Sequence, residues 1–254
     1  MNDIYISGTG IWTPPYKVSN DELVESFNKY VDLYNLEHAN EIKDGSIEPL
    51  VHSSSEFIVK ASGIKNRYVI EKEALLDPNR MKPQINARND DELSFSAEVS
   101  VIAAKEALNN AGLNPSDIDA VIVSAANLQR AYPAIAIEVQ NELGIEGFAY
   151  DMMVGCSAST FGINNAYCDI KSGKSSKVLV ISPEITSGHN NFKNRDGHFI
   201  FGDICTAVVV EKNSQSKNKF KILNTKLKTS FSNNIRNNYG YMNAIEDKEY
   251  SESE

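Results

Sequence analysis

Apolar positions along the chain follow two spacings, and their alternation is the first clue to architecture. Ile4-Tyr5-Ile6, Ala120-Val121-Ile122-Val123 and Val178-Leu179-Val180-Ile181 are short runs with no polar alternation, as expected of strands covered on both faces. Between them the spacing widens to that of helices. Leu93, Ala97, Val101, Ala104 and Leu108 share one face of a helix over 93–111, with Gly112 as its stop. Ser19-Asn20-Asp21-Glu22 has the form of a capping box, opening a helix with Leu23, Val24, Phe27, Tyr30, Val31 and Tyr34 on one side. A short helix through Phe57, Ile58 and Ala61 ends at Gly63, and strand character resumes over 67–70. Another helix runs from near Pro133 to Gly144, and a strand over 148–154 feeds a helix closed by Gly173. Further strands are expected near 206–211 and 219–226, with exposed polar loops at 41–55 and 75–91. Buried strands alternating with helices predict an α/β fold, a mostly parallel sheet with helices on both faces.

Composition narrows the partners. At 254 residues and 41% hydrophobic content the chain can bury a real core. Its formal net charge of −9, with no stripe of Lys or Arg, argues against nucleic acid and against an anionic membrane surface. Cys156, Cys168 and Cys205 form no CxxC pair, which argues against a disulfide framework and a zinc site and suits a reducing cytoplasm. The Met1-Asn2-Asp3 start lacks a leader pattern and no apolar run reaches membrane-spanning length, so a soluble, cytoplasmic chain with no membrane partner is expected. Gly8-Thr9-Gly10 is weak evidence for phosphate binding, because prolines follow where a dinucleotide fingerprint needs a third glycine and a helix. From Asn233 the sequence turns polar and ends in an acidic stretch, expected to be a disordered tail.

The chemistry gathers at Asp151-Met152-Met153-Val154-Gly155-Cys156-Ser157-Ala158, where an apolar strand gives way to small, helix-starting residues. A cysteine at a helix start meets unpaired backbone N–H groups and the positive end of the helix dipole, both of which stabilise negative charge on sulfur. Gly155, Ser157 and Ala158 leave room for a substrate to approach. Cys156 is therefore the candidate nucleophile, the alternative being a cysteine that merely packs. An α/β-hydrolase elbow would need Gly-x-Ser-x-Gly, and Gly155-Cys156-Ser157-Ala158-Ser159 does not supply it.

Five separated motifs together resemble β-ketoacyl-[acyl-carrier-protein] synthase III, a thiolase-fold condensing enzyme family. They are Ser62-Gly63-Ile64-Lys65-Asn66-Arg67, the stretch from Ala107 to Asp119, Tyr132-Pro133-Ala134, Gly155-Cys156 and Phe201-Gly202-Asp203. The resemblance implies a thiolase-like fold, of which this chain carries one of two halves, and an acyltransferase reaction in fatty-acid-type biosynthesis. In it an acyl thioester is transferred to Cys156 and condensed with a decarboxylating malonyl thioester. It implies no cofactor or metal, with acyl-coenzyme A or acyl carrier protein thioesters as substrates and acyl carrier protein as partner. Arg195 in Asn194-Arg195-Asp196-Gly197 matches an arginine of the family's coenzyme A clamp, and Tyr132 matches an aromatic that reaches the dimer mate's acyl pocket.

The departures are informative too. Phe57 and Ala61 stand where the family's clamp has Trp and Arg, which implies a weaker grip on adenine. The expected layout is a thiolase-like N-terminal half over 1–215, with helical cap insertions at about 15–60 and 72–92, and the start of a truncated second half with an acidic tail over 216–254. The family's His and Asn groups that face the cysteine come from that second half. His38, His52, His189 and His198 lie outside any such motif and read as structural or solvent-exposed. The chain alone is thus expected to be incomplete as an enzyme, acting as a homodimer or paired with a C-terminal-half chain. The alternative is a noncatalytic partner subunit or relic half-enzyme.

Overall fold

The computed structural model describes residues 3–232. The strands are β1 (Ile4–Trp12), β2 (Tyr16–Ser19), β3 (Asn66–Val69), β4 (Ala120–Ala125), β5 (Phe148–Met153), β6 (Lys177–Ile185), β7 (Asp203–Lys212) and β8 (Phe220–Lys221). The helices are α1 (Asn20–Glu37), α2 (Ala39–Asp44), α3 (Ser55–Ser62), α4 (Glu73–Leu76), α5 (Phe95–Ala111), α6 (Ile135–Leu143) and α7 (Ala158–Ser172). Six strands form one sheet in the order β5-β4-β6-β7-β1-β8, and β2 and β3 form a separate pair.

The α/β class stands, but the sheet is mixed rather than mostly parallel. β4 pairs parallel with β5 and β6, while β6–β7, β7–β1 and β1–β8 are antiparallel. The short link from β6 to β7 holds no helix able to return the chain to the same end of the sheet, so β7 runs back beside β6. Successive residues of one strand serve opposite faces. Val121, Val123, Leu179, Ile181, Ala207 and Val209 pack against α5 and α6, while Ala120, Ile122, Val178, Val180 and Val210 pack against Ala166 and Ile170 of α7.

β1 explains Gly8 and Gly10. A Cβ on Gly8 would lie 2.2 Å from the Ala107 carbonyl oxygen, and one on Gly10 would lie 2.0 Å from that of Ala103. The glycines let α5 press its alanines onto the strand backbone, which is a packing role rather than phosphate binding. The same helix serves β1 with hydrogen bonds, because Asn110 Nδ2 donates to the Thr9 carbonyl at 2.8 Å and Ile11 N–H donates to Glu106 at 2.7 Å.

A second core holds the insertions together. Val18, Leu23, Phe27, Val31, Ile58, Val69, Leu75 and Met81 pack with Phe192 and Phe199, and the capping box of α1 forms as the sequence implied. Two local expectations are corrected. The 75–91 stretch is not wholly an exposed loop, because α4 and Met81 bury Leu75 and the Met81 side chain in this core. The strand expected at 219–226 shortens to β8, which pairs only Phe220 and Lys221 with β1. The tail from Asn233 lies outside the described residues. Among the described residues no helix is long and apolar enough to cross a membrane.

Candidate active site

Cys156 lies where the sequence put it, between β5 and α7. Gly155 bends the chain with φ +57°, a conformation open to glycine and strained for other side chains, and Gly155–Ser157 makes one 3₁₀ turn before α7 begins. α7 is 15 residues long, and its N-terminus has no side-chain cap and no acidic residue in its first turn. The Ala158 N–H closes the 3₁₀ turn onto the Gly155 carbonyl, and the positive end of the α7 dipole, with no acidic side chain to offset it, favours an anion near the Cys156 sulfur. The residue is exposed, as is Met153 before it.

Contacts behind the turn fix the start of α7 against the sheet. Ser124 Oγ on β4 donates to the Ala158 carbonyl at 2.6 Å, and the Ser159 and Ser182 hydroxyls meet at 2.9 Å. Gly162 lets the helix lie close, since a Cβ there would come within 2.7 Å of Val180 Cγ1 and 3.0 Å of Ser124 Cβ. Asp151 does comparable work for α6, accepting from Ile135 N–H and Ala136 N–H, both at 2.8 Å. The preceding Ala134 offers no capping side chain, so a carboxylate from β5 caps α6 from outside.

Buried carboxylates tie the surrounding loops. Asp203 accepts from Ile70 N–H, Ser187 N–H and Ser187 Oγ, joining the Phe201-Gly202-Asp203 motif to the end of β3 and to the turn after β6. Glu184 accepts from Ala126 N–H at 2.9 Å. Burial pushes the carboxyls of Asp151, Glu184 and Asp203 up, opposed in each case by these N–H donors. Sequence reasoning missed Asp151 and Glu184, although a carboxylate inside an apolar strand was the available signal.

Two of the four expected site residues come together. The Arg195 guanidinium lies 4.1 Å from the centre of the Phe57 ring, and its Nε–H donates to the His52 carbonyl at 2.8 Å. Tyr132 stands apart, 85% exposed on the rim of a cavity of about 890 Å³ between the 85–95 segment and α6. Cys156 does not line that cavity. Of the histidines, His52 and His189 are exposed and His38 is half-buried, while His198 is fully buried. None of them hydrogen-bonds to Cys156 among the described residues. Cys168 is exposed within α7, and Cys205 is buried in β7. Among the described residues no cluster of His, Cys, Asp or Glu could hold a metal ion.

Comparisons with known proteins converge on one group. Residues 150–230 match the family described as 3-Oxoacyl-[acyl-carrier-protein (ACP)] synthase III. The chain is 54% identical over 226 residues to a β-ketodecanoyl-[acyl-carrier-protein] synthase of Pseudomonas aeruginosa, covering 88% of this chain and 65% of that protein. It is 34% identical over 171 residues to β-ketoacyl-[acyl-carrier-protein] synthase III of Brucella anthropi, covering 67% of this chain and 47% of the relative. Among solved structures, 3-oxoacyl-[acyl-carrier-protein] synthase III from Aquifex aeolicus aligns with a TM-score of 0.59 at 27% identity, over 86% of this chain and 55% of that one. The Pseudomonas aeruginosa 3-oxoacyl-(acyl carrier protein) synthase III shares the fold with a TM-score of 0.62 at 20% identity, over 87% of this chain and 55% of that one. The chain thus spans about half to two thirds of the length of these relatives. These similarities run through the Cys156 turn and β7.

Proposed function

From a chain that is β-ketoacyl-[acyl-carrier-protein] synthase III-like and thiolase-like in fold, we propose an acyltransferase that loads an acyl group on Cys156 and condenses it with a malonyl thioester. The observation that carries this reading is the exposed Cys156 on a glycine turn at the uncapped, carboxylate-free start of α7. The Cys156 thiolate attacks the acyl thioester carbonyl, a carbon–sulfur bond forms, and the tetrahedral oxyanion collapses with departure of the donor thiolate, which takes up a proton. Backbone N–H groups at the helix start are suited to that oxyanion. In the second half-reaction the malonyl thioester loses carbon dioxide, its α-carbon attacks the acyl-Cys156 carbonyl, and Cys156 leaves as thiolate.

The chemistry of the most similar relative quoted above suggests a chain length. A β-ketodecanoyl product made by adding two carbons requires an eight-carbon acyl donor, so an octanoyl thioester is the substrate proposed here. Acyl carrier protein is the proposed partner, supported by the carrier named in the family and in that relative. Phe57 and Arg195 are proposed to contact the donor's carrier end, and Tyr132 to reach the acyl pocket of a second copy in a homodimer. Three free cysteines suit a cytoplasmic setting.

Mass spectrometry after incubation with octanoyl-coenzyme A or octanoyl-acyl carrier protein tests the first step. An octanoyl adduct on the Cys156 peptide is expected, and none on Cys156→Ala. An adduct confined to Cys168, or no adduct from either donor, would refute the assignment.

A further inference from the structure

His198 is the most buried titratable ring among the described residues, and its surroundings lead step by step to Arg195. Its Nδ1 lies 2.8 Å from the Arg195 carbonyl oxygen. A carbonyl can only accept, so Nδ1 carries the proton and donates. The ring stacks on Phe27 of α1, with centroids 4.6 Å apart and planes at 23°, and it meets Phe199 edge-on at 5.4 Å. Phe199 in turn meets Phe57 edge-on at 5.8 Å, and Phe57 carries the Arg195 guanidinium on its face. The contacts close a loop. From α1 the chain of rings runs through His198 and Phe199 to Phe57 on α3, and the Nδ1–H bond returns to the backbone of the arginine lying on that ring.

Stability alone does not account for an imidazole at this place. His198 Nε2 is buried and has no hydrogen-bond partner, so the ring carries an orphan polar atom in an otherwise aromatic setting. A phenyl ring would keep the stack and remove the orphan. What only the imidazole supplies is the donor to the Arg195 carbonyl.

We infer that His198 is a positioning residue: through its Nδ1–H bond to the Arg195 carbonyl and its packing between Phe27 and Phe199, it holds the Arg195 guanidinium on Phe57. The inference deepens the proposed reading of Arg195 and Phe57 as donor contacts and rests on it for its consequence in substrate binding.

Three variants and two readouts test it. His198→Phe keeps the ring and loses the donor, His198→Asn restores a donor near the Nδ1 position, and Arg195→Ala removes the positioned group. The first readout is the ¹⁵N–¹H signal of Arg195 Nε, which reports its bond to the His52 carbonyl independently of activity. The second is the octanoyl-coenzyme A concentration that half-saturates the acylation of Cys156. In His198→Phe the Arg195 Nε signal is expected to shift and the half-saturating concentration to rise ~3–10-fold, as for one lost hydrogen bond, with the maximal acylation rate unchanged. Melting of this variant is expected at or above the parent temperature at pH 7.5, and His198→Asn is expected to return both readouts toward the parent values. An unmoved Arg195 Nε signal in His198→Phe, or a His198→Asn variant as defective as His198→Phe, would overturn the inference. Unchanged half-saturation in Arg195→Ala, alongside a shifted Nε signal in His198→Phe, would instead remove the substrate role of Arg195 and leave the positioning role standing.

Discussion

Replacing Gly162 by alanine probes the seam that seats the Cys156 turn. The added methyl would sit 2.7 Å from Val180 Cγ1 and 3.0 Å from Ser124 Cβ, whereas ordinary contact begins at 3.4 Å, so 0.7 Å must be found somewhere. Val180 is buried and, being β-branched, stiff at χ1. Ser124 is fully buried and committed to the Ala158 carbonyl through its hydroxyl. Neither neighbour gives way easily, so α7 itself must lift from the sheet. Overpacking of this kind costs about 1–3 kcal/mol, and the better helix propensity of alanine returns up to about 1 kcal/mol. A net loss of about 1–2 kcal/mol corresponds to melting roughly 2–8 °C lower for a chain of this size. Because the displaced end of α7 carries the nucleophile, alkylation of Cys156 should change rate in the same variant. The assay is a thermal melt by circular dichroism together with timed iodoacetamide labelling. Gly188→Ala is the control, since a Cβ there meets nothing within 4 Å, and it should melt within about 1–2 °C of the parent, as a surface change of up to ~0.5 kcal/mol implies. A Gly162→Ala protein that melts at or above the parent temperature, with Cys156 labelling unchanged, would refute the reasoning.

The three thiols should separate under competitive labelling at neutral pH. Burial pushes the Cys205 thiol up to about 12, which lowers its thiolate fraction about 10³-fold against an ordinary cysteine, so it should stay unlabelled in the folded protein. Cys156, at the helix start, should react ahead of Cys168 in mid-helix, and the reverse order would count against Cys156 as nucleophile. His198 should make stability depend on pH. Burial, chiefly, with the nearby Arg67 and Arg195 guanidinium groups, pushes its imidazole down to about 4, below the unfolded value of about 6.5. A base depressed in the folded state contributes stability that is whole above the unfolded value and is lost as pH falls toward the folded one. Between pH 7.5 and 4.5 the parent should therefore lose about 2–3 kcal/mol more than His198→Phe in urea unfolding, and equal losses in the two proteins would exclude that role for His198.

Much of this architecture was legible because single side chains announce it. The Ser19–Glu22 capping box, the Gly112 stop of α5 and the apolar run Ala120-Val121-Ile122-Val123 of β4 each act locally, and all three form as read. Strand direction was not legible, since an apolar run has the same pattern whichever way its neighbour points, and so the antiparallel β7 and β1 went unrecognised. Gly8 and Gly10 were visible as glycines, but their purpose depends on Ala103 and Ala107, nearly a hundred residues later. At the site, Cys156 could be read from the small residues that follow an apolar strand. The Arg195 stack on Phe57 could not, because it joins α3 to a loop beyond β6 and only the fold brings them together. Asp151 was visible as a carboxylate inside an apolar strand, but its task of capping α6 was not, because Ile135 and Ala136 lie 16 and 15 residues earlier and only the fold brings them to it.

The seam between β1 and α5 bears on how the chain assembles as it is made. β1 leaves the ribosome ahead of the other described strands, yet β7, its partner along nearly its whole length, follows almost two hundred residues later. At ~5–20 residues per second that is an interval of roughly 10–40 s in which the strand has no sheet to join. α5 arrives in about half that time. With Gly8 and Gly10 fitting against Ala103 and Ala107, and with Asn110 and Glu106 serving Thr9 and Ile11, the helix offers both a packing surface and hydrogen bonds before any ladder exists. A nascent strand that would otherwise expose an unpaired edge is thereby given a chaperoning contact from within its own chain.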